Sequence, residues 1–322
     1  MKEIAITEIE NIAIGQAEDT VSGTGCTVFI SKDGMAAGLD IRGGGPASRE
    51  SGLMDPLAAA QTIHAVVLSG GSAYGLGAAD GVMQYLEENG IGLDVGVTKV
   101  PLVVQSDIFD LTVGDSKVRP DREMGYQAAK RALNSPNYRD GNFGAGCGAT
   151  VGKICGMERC MKSGIGSYAI ETGGLKIGAV VVVNAFGDIF DHRTGSKLAG
   201  LLNEGKNGFA DTTEVMYSHI APVENKFVSN TTIGIVMTNA KFYKTQLCKL
   251  AGMAHDGYAR SIRPVHTSVD GDSIYAVSLG NVAADMDTVG VLSAEVMSEA
   301  ITRAVKNADS AYGAISAKEL KS

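Results

Sequence analysis

The chain has 322 residues, of which 44% are hydrophobic and 20% charged, a balance that supports a buried core and excludes a disordered, solvating chain. Glycine accounts for 42 residues, about 13% against a usual share of about 7%, but the 7 prolines and the lack of a Gly-X-Y period exclude collagen. The net charge is -8 and lysine and arginine form no cluster, which argues against nucleic acid as a partner.

The first half of the chain alternates apolar, strand-like runs with helical patterns. Residues 26–30 and 35–41 flank the turn pair Asp33-Gly34, and this order predicts a β-hairpin, followed by a glycine-rich loop over residues 43–51. The later predicted elements of this half are a buried strand at 65–68, a helix at 78–88, a strand at 100–104 and a helix at 121–133.

The second half contains the densest glycine segment, residues 141–150, and changes character abruptly at Thr231. Residues 194–230 are polar and weakly periodic, which predicts an exposed connection capable of motion. The other predicted elements are strands at 175–185, 231–237 and 273–279 and helices at 244–261 and 289–305. These elements predict α and β structure in layers, with helices on either side of apolar strands.

Cysteine usage and the apolar runs bear on the cellular compartment. The cysteines are scattered and form no CxxC pair, which favours reduced thiols in a cytoplasmic protein and predicts neither a zinc site nor another cofactor. Acidic residues interrupt the apolar N-terminal stretch, so we expect no signal peptide. The longest apolar run, 177–185, is far shorter than the roughly 20 residues of a membrane span, so we expect no membrane partner.

Two glycine-rich segments resemble known catalytic turns only in part. In residues 70–75 Tyr74 stands where the nucleophile elbow G-x-S-x-G needs its second glycine, and we expect a strand-to-helix turn lining a pocket. In residues 144–154 Ile154 follows Lys153 where a P-loop needs Ser or Thr, which argues against an NTPase. Backbone N–H groups and Lys153 could instead surround a developing anion, although a structural or solvated lysine is equally compatible with the sequence.

Further candidate groups are two aspartates and the histidines. Asp270 and Asp272 flank Gly271, and residues two apart in an extended segment point to the same face, although a surface turn or a fragment of a Ca²⁺ loop gives the same pattern. No metal-ligand spacing relates the histidines, each of which we therefore expect to be ordinary: His64, His192, His219, His255 and His266.

The step from Asn230 to Thr231 lies where the polar connection meets an apolar strand. If the chain were cut there, Thr231 would gain a free α-amine with a pKa of about 7.7–8.0, suitable as a general base for its own hydroxyl. Taken alone the pattern is weak, since any Asn-Thr pair satisfies it.

Taken in this order, the motifs resemble the P1 family of peptidases, which includes L-aminopeptidase/D-esterase, β-aminopeptidases and the nylon-oligomer endo-hydrolase. The matching stretches are 49–56, 68–76, 141–153, 164–166, 183–184, 230–240 and 264–272. The resemblance implies a single αββα domain over residues 1–322, a four-layer sandwich with layers like those of N-terminal-nucleophile hydrolases but different connectivity. It also implies self-cleavage between Asn230 and Thr231 into an α piece, 1–230, and a β piece, 231–322.

The resemblance further implies roles for individual residues. Thr231 would be the nucleophile for self-cleavage and for amide hydrolysis, and Asn184 would stabilise the oxyanion. Asp270 and Asp272 would orient and balance the new Thr231 ammonium group, and Lys153 matches a catalytic lysine of the nylon-oligomer branch. The tyrosine that some aminopeptidase members use as a second oxyanion donor has no counterpart in residues 104–111.

The resemblance also implies a substrate class and an assembly, and it leaves two other readings open. A small peptide or amide is the expected substrate, and a homotetramer or similar assembly the expected state. Ornithine acetyltransferases share this fold and a self-cleaving threonine, so acyl transfer is one alternative. An uncleaved, non-catalytic assembly subunit is the other.

Overall fold

The computed structural model describes residues 1–218 and 230–320. The strands of this part are β1 (Lys2–Ile4), β2 (Ala13–Asp19), β3 (Thr24–Ile41), β4 (Ala47–Arg49), β5 (Ile63–Ser69), β6 (Leu93–Asp94), β7 (Lys99–Val100), β8 (Val103–Asp107), β9 (Thr150–Val151), β10 (Met161–Lys162), β11 (Ile165–Thr172), β12 (Leu175–Asn184), β13 (Asp188–Phe190), β14 (Lys197–Ala199), β15 (Thr231–Ala240), β16 (Ile262–Arg263) and β17 (Ser273–Val282). The α-helices are α1 (Ala78–Glu88), α2 (Arg122–Asn134), α3 (Thr212–Ser218), α4 (Lys244–Ser261) and α5 (Met286–Asn307).

The long strand β3 belongs to two sheets, and the predicted hairpin at 26–41 is therefore wrong. Residues 24–30 pair with β2 and β5, whereas residues 36–41 pair with β17. The Asp33-Gly34 pair lies within the strand, where Gly34 has a φ of +81° and the pairing with β5 shifts register. The glycine bends the strand from one sheet into the other instead of reversing the chain.

The two sheets share β3 and otherwise consist of different strands. The first sheet has the order β1-β11-β12-β15-β17-β3, with β15 and β17 parallel and the other pairs antiparallel. The second has the order β2-β3-β5-β8-β4, with β5 and β8 parallel. Thus β15, the strand that begins at Thr231, lies in the interior of the first sheet.

Apolar side chains form three buried clusters, one between the two sheets and one between each sheet and its helices. Along β12, Val180 and Val182 join the cluster between the two sheets, whereas Val181 and Val183 pack on the other face with α4 and α5. The second sheet buries its outer face against α1 and α2. Strands covered on both faces explain why the sequence reads as continuous apolar runs. The predicted αββα sandwich is confirmed.

Part of the glycine surplus lies where helices approach the sheets closely. A Cβ atom on Gly38 of β3 would lie 2.2 Å from the backbone nitrogen of Cys248 in α4. One on Gly166 of β11 would lie 2.2 Å from the carbonyl oxygen of Ala300 in α5. These glycines let the helix backbones pack directly on the strands, which a side chain would prevent.

The helix predictions are confirmed, with α1 and α4 having the predicted bounds. The predicted connection over 194–230 is exposed or half-buried over most of residues 194–218, but it is not irregular throughout, because β14 and α3 form there and Leu201 and Leu202 are buried. The buried carboxylate of Asp188 accepts hydrogen bonds from the backbone N–H groups of Leu201 and Thr212, which anchors this segment. Residues 219–229 of the predicted connection lie outside the described residues.

Candidate active site

The site lies where β12 ends beside the beginning of β15. Asn184 and Thr231 are register partners across this antiparallel pair, and both are buried. The structure brings these two sequence-predicted residues together although they are 47 positions apart in the chain. Two buried strands fix their backbones, so little reorganisation is needed for chemistry between groups on them.

The peptide group between Asn230 and Thr231 is held from the Asp270–Asp272 turn. The backbone N–H of Gly271 donates to the carbonyl oxygen of Asn230 at 3.0 Å, and Asn230 bridges Asp270 in parallel register. The Thr231 hydroxyl also donates to that carbonyl oxygen. The side chain of Asn230 is buried, and neither of its polar atoms has a hydrogen-bond partner among the described residues.

Asp272 connects the residue after Thr231 to a histidine that sequence reasoning missed. Its Oδ1 accepts the backbone N–H of Thr232 at 2.7 Å. Its Oδ2 accepts the backbone N–H of His266 at 3.1 Å and lies 2.9 Å from Nδ1 of the same ring. His266 has a φ of +58°, and its Nε2 is buried with no partner in the described part of the chain. The sequence signal was its position four residues before Asp270, on the same turn.

Asp270 is held by its own turn. Its Oδ2 accepts the backbone N–H of Thr267 at 2.9 Å and the Thr267 hydroxyl at 2.5 Å. Burial, together with the neighbouring charge of Asp272, raises the pKa of Asp270 to about 6. The two aspartates predicted to act together are therefore neighbours whose charges interact, and Asp272 is bonded to the start of β15 through Thr232.

Lys153 is a buried partner of Asn184, and a solvated lysine is excluded. Its Nζ donates to the backbone oxygen of Asn184 at 3.0 Å and to the side-chain Oδ1 at 2.8 Å. The backbone N–H of Thr150, at the end of the dense glycine segment, donates to the same Oδ1 at 3.1 Å. Asn184 Nδ2 donates to the carbonyl oxygen of Phe109 at 3.0 Å. Lys153 and the glycine segment thus orient the amide of Asn184.

The charge state of Lys153 depends on its surroundings. Burial lowers the pKa of Lys153 to about 7, while the charges of Asp270 and Asp110 act in the opposite direction. Near neutral pH a part of the Lys153 side chains is therefore neutral, whereas a lysine in water is almost fully protonated.

A second glycine segment, residues 43–45, is bound to the aspartate turn by backbone hydrogen bonds. Gly43 N–H donates to the carbonyl oxygen of Asp272 at 3.2 Å, and Gly45 N–H donates to that of Asp270 at 2.8 Å. A Cβ atom on Gly43 would lie 2.3 Å from the nitrogen of Asp272. Only glycine allows this approach, which fixes the turn that holds Asn230.

A second acidic pair, Asp107 and Asp110, lies at the end of β8 and was missed from the sequence. Asp110 accepts the Gly71 N–H and the Thr24 hydroxyl, each at 2.7 Å, and burial raises its pKa to about 6. Asp107 accepts from Gln105 at 2.7 Å with one oxygen, while its other oxygen has no partner among residues 1–218 and 230–320. Burial raises the pKa of Asp107 well above its usual range.

The turn at 70–75 contacts this acidic pair through the Gly71 N–H, which donates to Asp110. That the turn lines a pocket stays a prediction.

Within the described ranges, no group of three or more His, Cys, Asp or Glu side chains is arranged to hold a metal ion. None of the helices described is long and apolar enough to cross a membrane. All five cysteines are free thiols.

The sequence matches peptidase family S58 over residues 5–318. The chain belongs to this family. The membership confirms the resemblance that the sequence motifs indicated.

Individual relatives agree with this assignment. An uncharacterised aminopeptidase of Mycobacterium leprae (strain TN) is 37% identical over 297 residues, covering 87% of this chain and 80% of the relative. A 6-aminohexanoate-oligomer endohydrolase of Agromyces sp. (strain KY5R) is 30% identical over 322 residues, covering 95% and 87%. The family and these relatives support peptidase-like amide hydrolysis.

A solved structure shows the same fold. The L-aminopeptidase D-Ala-esterase/amidase of Ochrobactrum anthropi, described as a new variant among the Ntn hydrolase fold, superimposes with a TM-score of 0.66 at 18% identity. The match covers 94% of this chain and 86% of that chain. The likeness agrees with the layered sandwich described above.

Proposed function

We propose that the chain is a precursor that cuts itself between Asn230 and Thr231 and then works as an N-terminal-threonine amide hydrolase. The products would be an α piece, residues 1–230, and a β piece, residues 231–322, of one αββα domain. One observation supports this most directly: at the buried start of β15, the Thr231 hydroxyl donates a hydrogen bond to the carbonyl oxygen of Asn230, in the peptide bond that precedes Thr231.

In the first step, Oγ of Thr231 attacks the carbonyl carbon of Asn230. A C–O bond forms, the C–N bond breaks, and the hydroxyl proton ends on the Thr231 nitrogen. Water then hydrolyses the ester, leaving a carboxylate on Asn230 and a free α-amine on Thr231. Positioning of the two groups by the strand and the turn supplies the proximity that this step requires.

In turnover, the α-amine of Thr231 takes the hydroxyl proton as Oγ attacks a substrate amide. The amide of Asn184, oriented by Lys153, stabilises the oxyanion. The substrate C–N bond then breaks, the amine leaves with the proton that the α-amine holds, and water hydrolyses the acyl-enzyme. Asp272 holds the backbone of Thr232 next to the nucleophile, and Asp270 supplies negative charge near the new ammonium group. Lys153 acts through Asn184 and is therefore a positioning residue.

We further propose a small peptide or an amine-terminated oligoamide as substrate and a homotetramer or similar assembly. The names of the relatives support this substrate class, since one is an aminopeptidase and another acts on 6-aminohexanoate oligomers. The comparisons do not favour acyl transfer between ornithine derivatives. A cytoplasmic location remains a prediction from the sequence.

The test is the mass of the freshly purified protein under denaturing conditions. Wild type should give fragments 1–230 and 231–322, whereas Thr231→Ala should stay a single inactive chain of 33.3 kDa. Thr231→Ser, which keeps a hydroxyl, is the matched control and should still cleave. An unbroken wild-type chain that hydrolyses aminoacyl p-nitroanilides or aminohexanoate oligomers would refute the proposal.

A further inference from the structure

We infer that the backbone N–H of Gly271 is a catalytic group of the self-cleavage step, donating to the oxyanion that forms on Asn230. The inference rests on the proposed function, because it concerns the mechanism of that cut. It assigns a role to Gly271, which sequence reasoning named only as the residue between the two aspartates.

The donor already points at the reacting carbonyl in the intact chain. The distance from Gly271 N to the Asn230 oxygen is 3.0 Å, within the range expected of an oxyanion donor. Attack by Thr231 turns this oxygen from a neutral acceptor into an anion, which a hydrogen bond from an N–H stabilises more strongly. The bond therefore favours the transition state over the starting peptide.

The turn that carries this N–H is rigidly supported. Asp272 is bound through Thr232 and His266, and the carbonyl oxygens of Asp270 and Asp272 accept N–H groups of the 43–45 segment. A donor held in this way needs no reorganisation when charge develops, which is the condition under which such donors have their largest effect.

The close approach also requires glycine at position 271. A Cβ atom there would lie 2.7 Å from Oγ1 of Thr231 and 2.8 Å from the carbonyl oxygen of Gly45. A side chain would push the turn away from the nucleophile or block its hydroxyl. Because Gly271 has no Cβ atom, the turn leaves room for Thr231 and its N–H can lie against the scissile peptide bond.

The chemistry needs no group beyond those in the chain and water. Oγ of Thr231 forms a bond to the Asn230 carbon, and the electron pair of the C=O bond moves to the oxygen facing Gly271. When the C–N bond breaks, that pair re-forms the carbonyl and the hydroxyl proton ends on the Thr231 nitrogen. The Gly271 proton stays on its own nitrogen throughout.

The decisive experiment replaces the Gly271 amide by an ester. Glycolic acid is incorporated at position 271 by nonsense suppression in cell-free translation, which removes the N–H and adds no side chain. The matched control carries the same replacement at Gly45, whose N–H donates to the Asp270 oxygen at 2.8 Å but not to the scissile carbonyl. Cleavage of freshly made precursor is followed by denaturing gel and mass spectrometry.

We expect the 271 ester to cleave about 10²–10³-fold more slowly than the all-amide chain. The 45 ester loses one bond that supports the turn but keeps the donor to the scissile carbonyl, so it should cleave more slowly than the all-amide chain and clearly faster than the 271 ester. Equal slowing of both esters, or an unchanged rate for the 271 ester, would overturn the inference. An all-amide wild-type chain that never cleaves would instead refute the proposed function, so the two failures are distinguishable.

A second readout does not depend on cleavage. In a Thr231→Ala precursor with a ¹³C-labelled carbonyl at Asn230, the 271 ester should shift the labelled infrared C=O band to higher frequency, and the 45 ester should leave it in place. A band unaffected by the 271 ester would contradict the inference. Gly271→Ala adds a genetically encoded test, because it should slow cleavage at least tenfold, and cleavage at the wild-type rate would contradict the close approach.

Discussion

Asp270 and Asp110 belong to two different pairs of buried aspartates, and both interact electrostatically with Lys153. Asp270 and Asp110 both have a pKa raised to about 6 by burial, and the charge of each opposes the lowering of the pKa of Lys153. In the first pair Asp272 accepts the backbone N–H of Thr232, next to Thr231, whereas in the second pair Asp110 accepts the Thr24 hydroxyl and the Gly71 N–H. Burial and pKa do not separate Asp270 from Asp110; the groups that each pair holds in place do.

The largest effect expected from this comparison is that of Asp272→Asn. An amide NH₂ in place of one carboxylate oxygen would face the N–H groups of Thr232 or His266, so at least one hydrogen bond near Thr231 would be lost. We expect self-cleavage at least about a hundredfold slower, measured by denaturing gel on freshly made protein. Asp107→Asn is the matched control; cleavage slowed equally in both would remove the distinction between the pairs.

The next effect compares the two buried lysines. Lys153→Met removes the donor to both oxygens of Asn184 and should slow substrate hydrolysis by about ten- to a hundredfold while the chain stays folded. Lys162 instead donates to the carbonyl oxygens of Gly146, Ala149 and Ser163. The oxygens of Gly146 and Ala149 also accept backbone N–H groups, so Lys162→Met should lower the free energy of unfolding mainly through the Ser163 carbonyl, by about 1–3 kcal/mol.

Hydrolysis rates and urea melts of both variants measure this contrast. The melts should use the Thr231→Ala background, so that cleavage does not complicate them. Lys153→Met with wild-type turnover but a large loss of stability would reverse the assignment of the two lysines.

The smallest effect is a pH dependence at Asp107. Its pKa is raised in the folded chain, so the folded state keeps a proton that the unfolded state releases above its ordinary pKa of about 4. The stabilisation from this group is therefore present at low pH and lost as pH rises toward the folded pKa. Asp107→Asn does not titrate, so its melting temperature relative to the parent should be higher at pH 8 than at pH 5.

This comparison also uses the Thr231→Ala background and thermal melts at both pH values. A difference between variant and parent that stays constant from pH 5 to pH 8 would mean that Asp107 does not hold its proton in the folded state.

The sequence predicted those parts of the fold that local periodicity specifies. The bounds of α1 and α4 follow from apolar residues at helical spacing, which packing against a sheet reinforces. The β3 strand shows the limit, because Asp33-Gly34 favours a hairpin locally and only the pairing of each half with a different sheet decides otherwise. Pairing partners far apart in the chain leave no local signal.

The same limit applies to the site. The family motifs indicated Thr231, Asn184 and Lys153, which the structure brings together. Asp110 was missed because its partner Thr24 is 86 residues away, and His266 because it was judged by its spacing to other histidines rather than to Asp272. Backbone donors such as Gly271 N–H have no side-chain identity that a sequence could reveal.

The strand order of the first sheet has a consequence for a cut chain. The residues after position 230 contribute β15 and β17, which are flanked by β12 on one side and β3 on the other, both from the first 230 residues. The smaller fragment would thus be wedged inside the larger one, and neither could leave without opening the sheet. A cut at Thr231 would therefore yield two interleaved polypeptides that copurify and melt together as one cooperative unit.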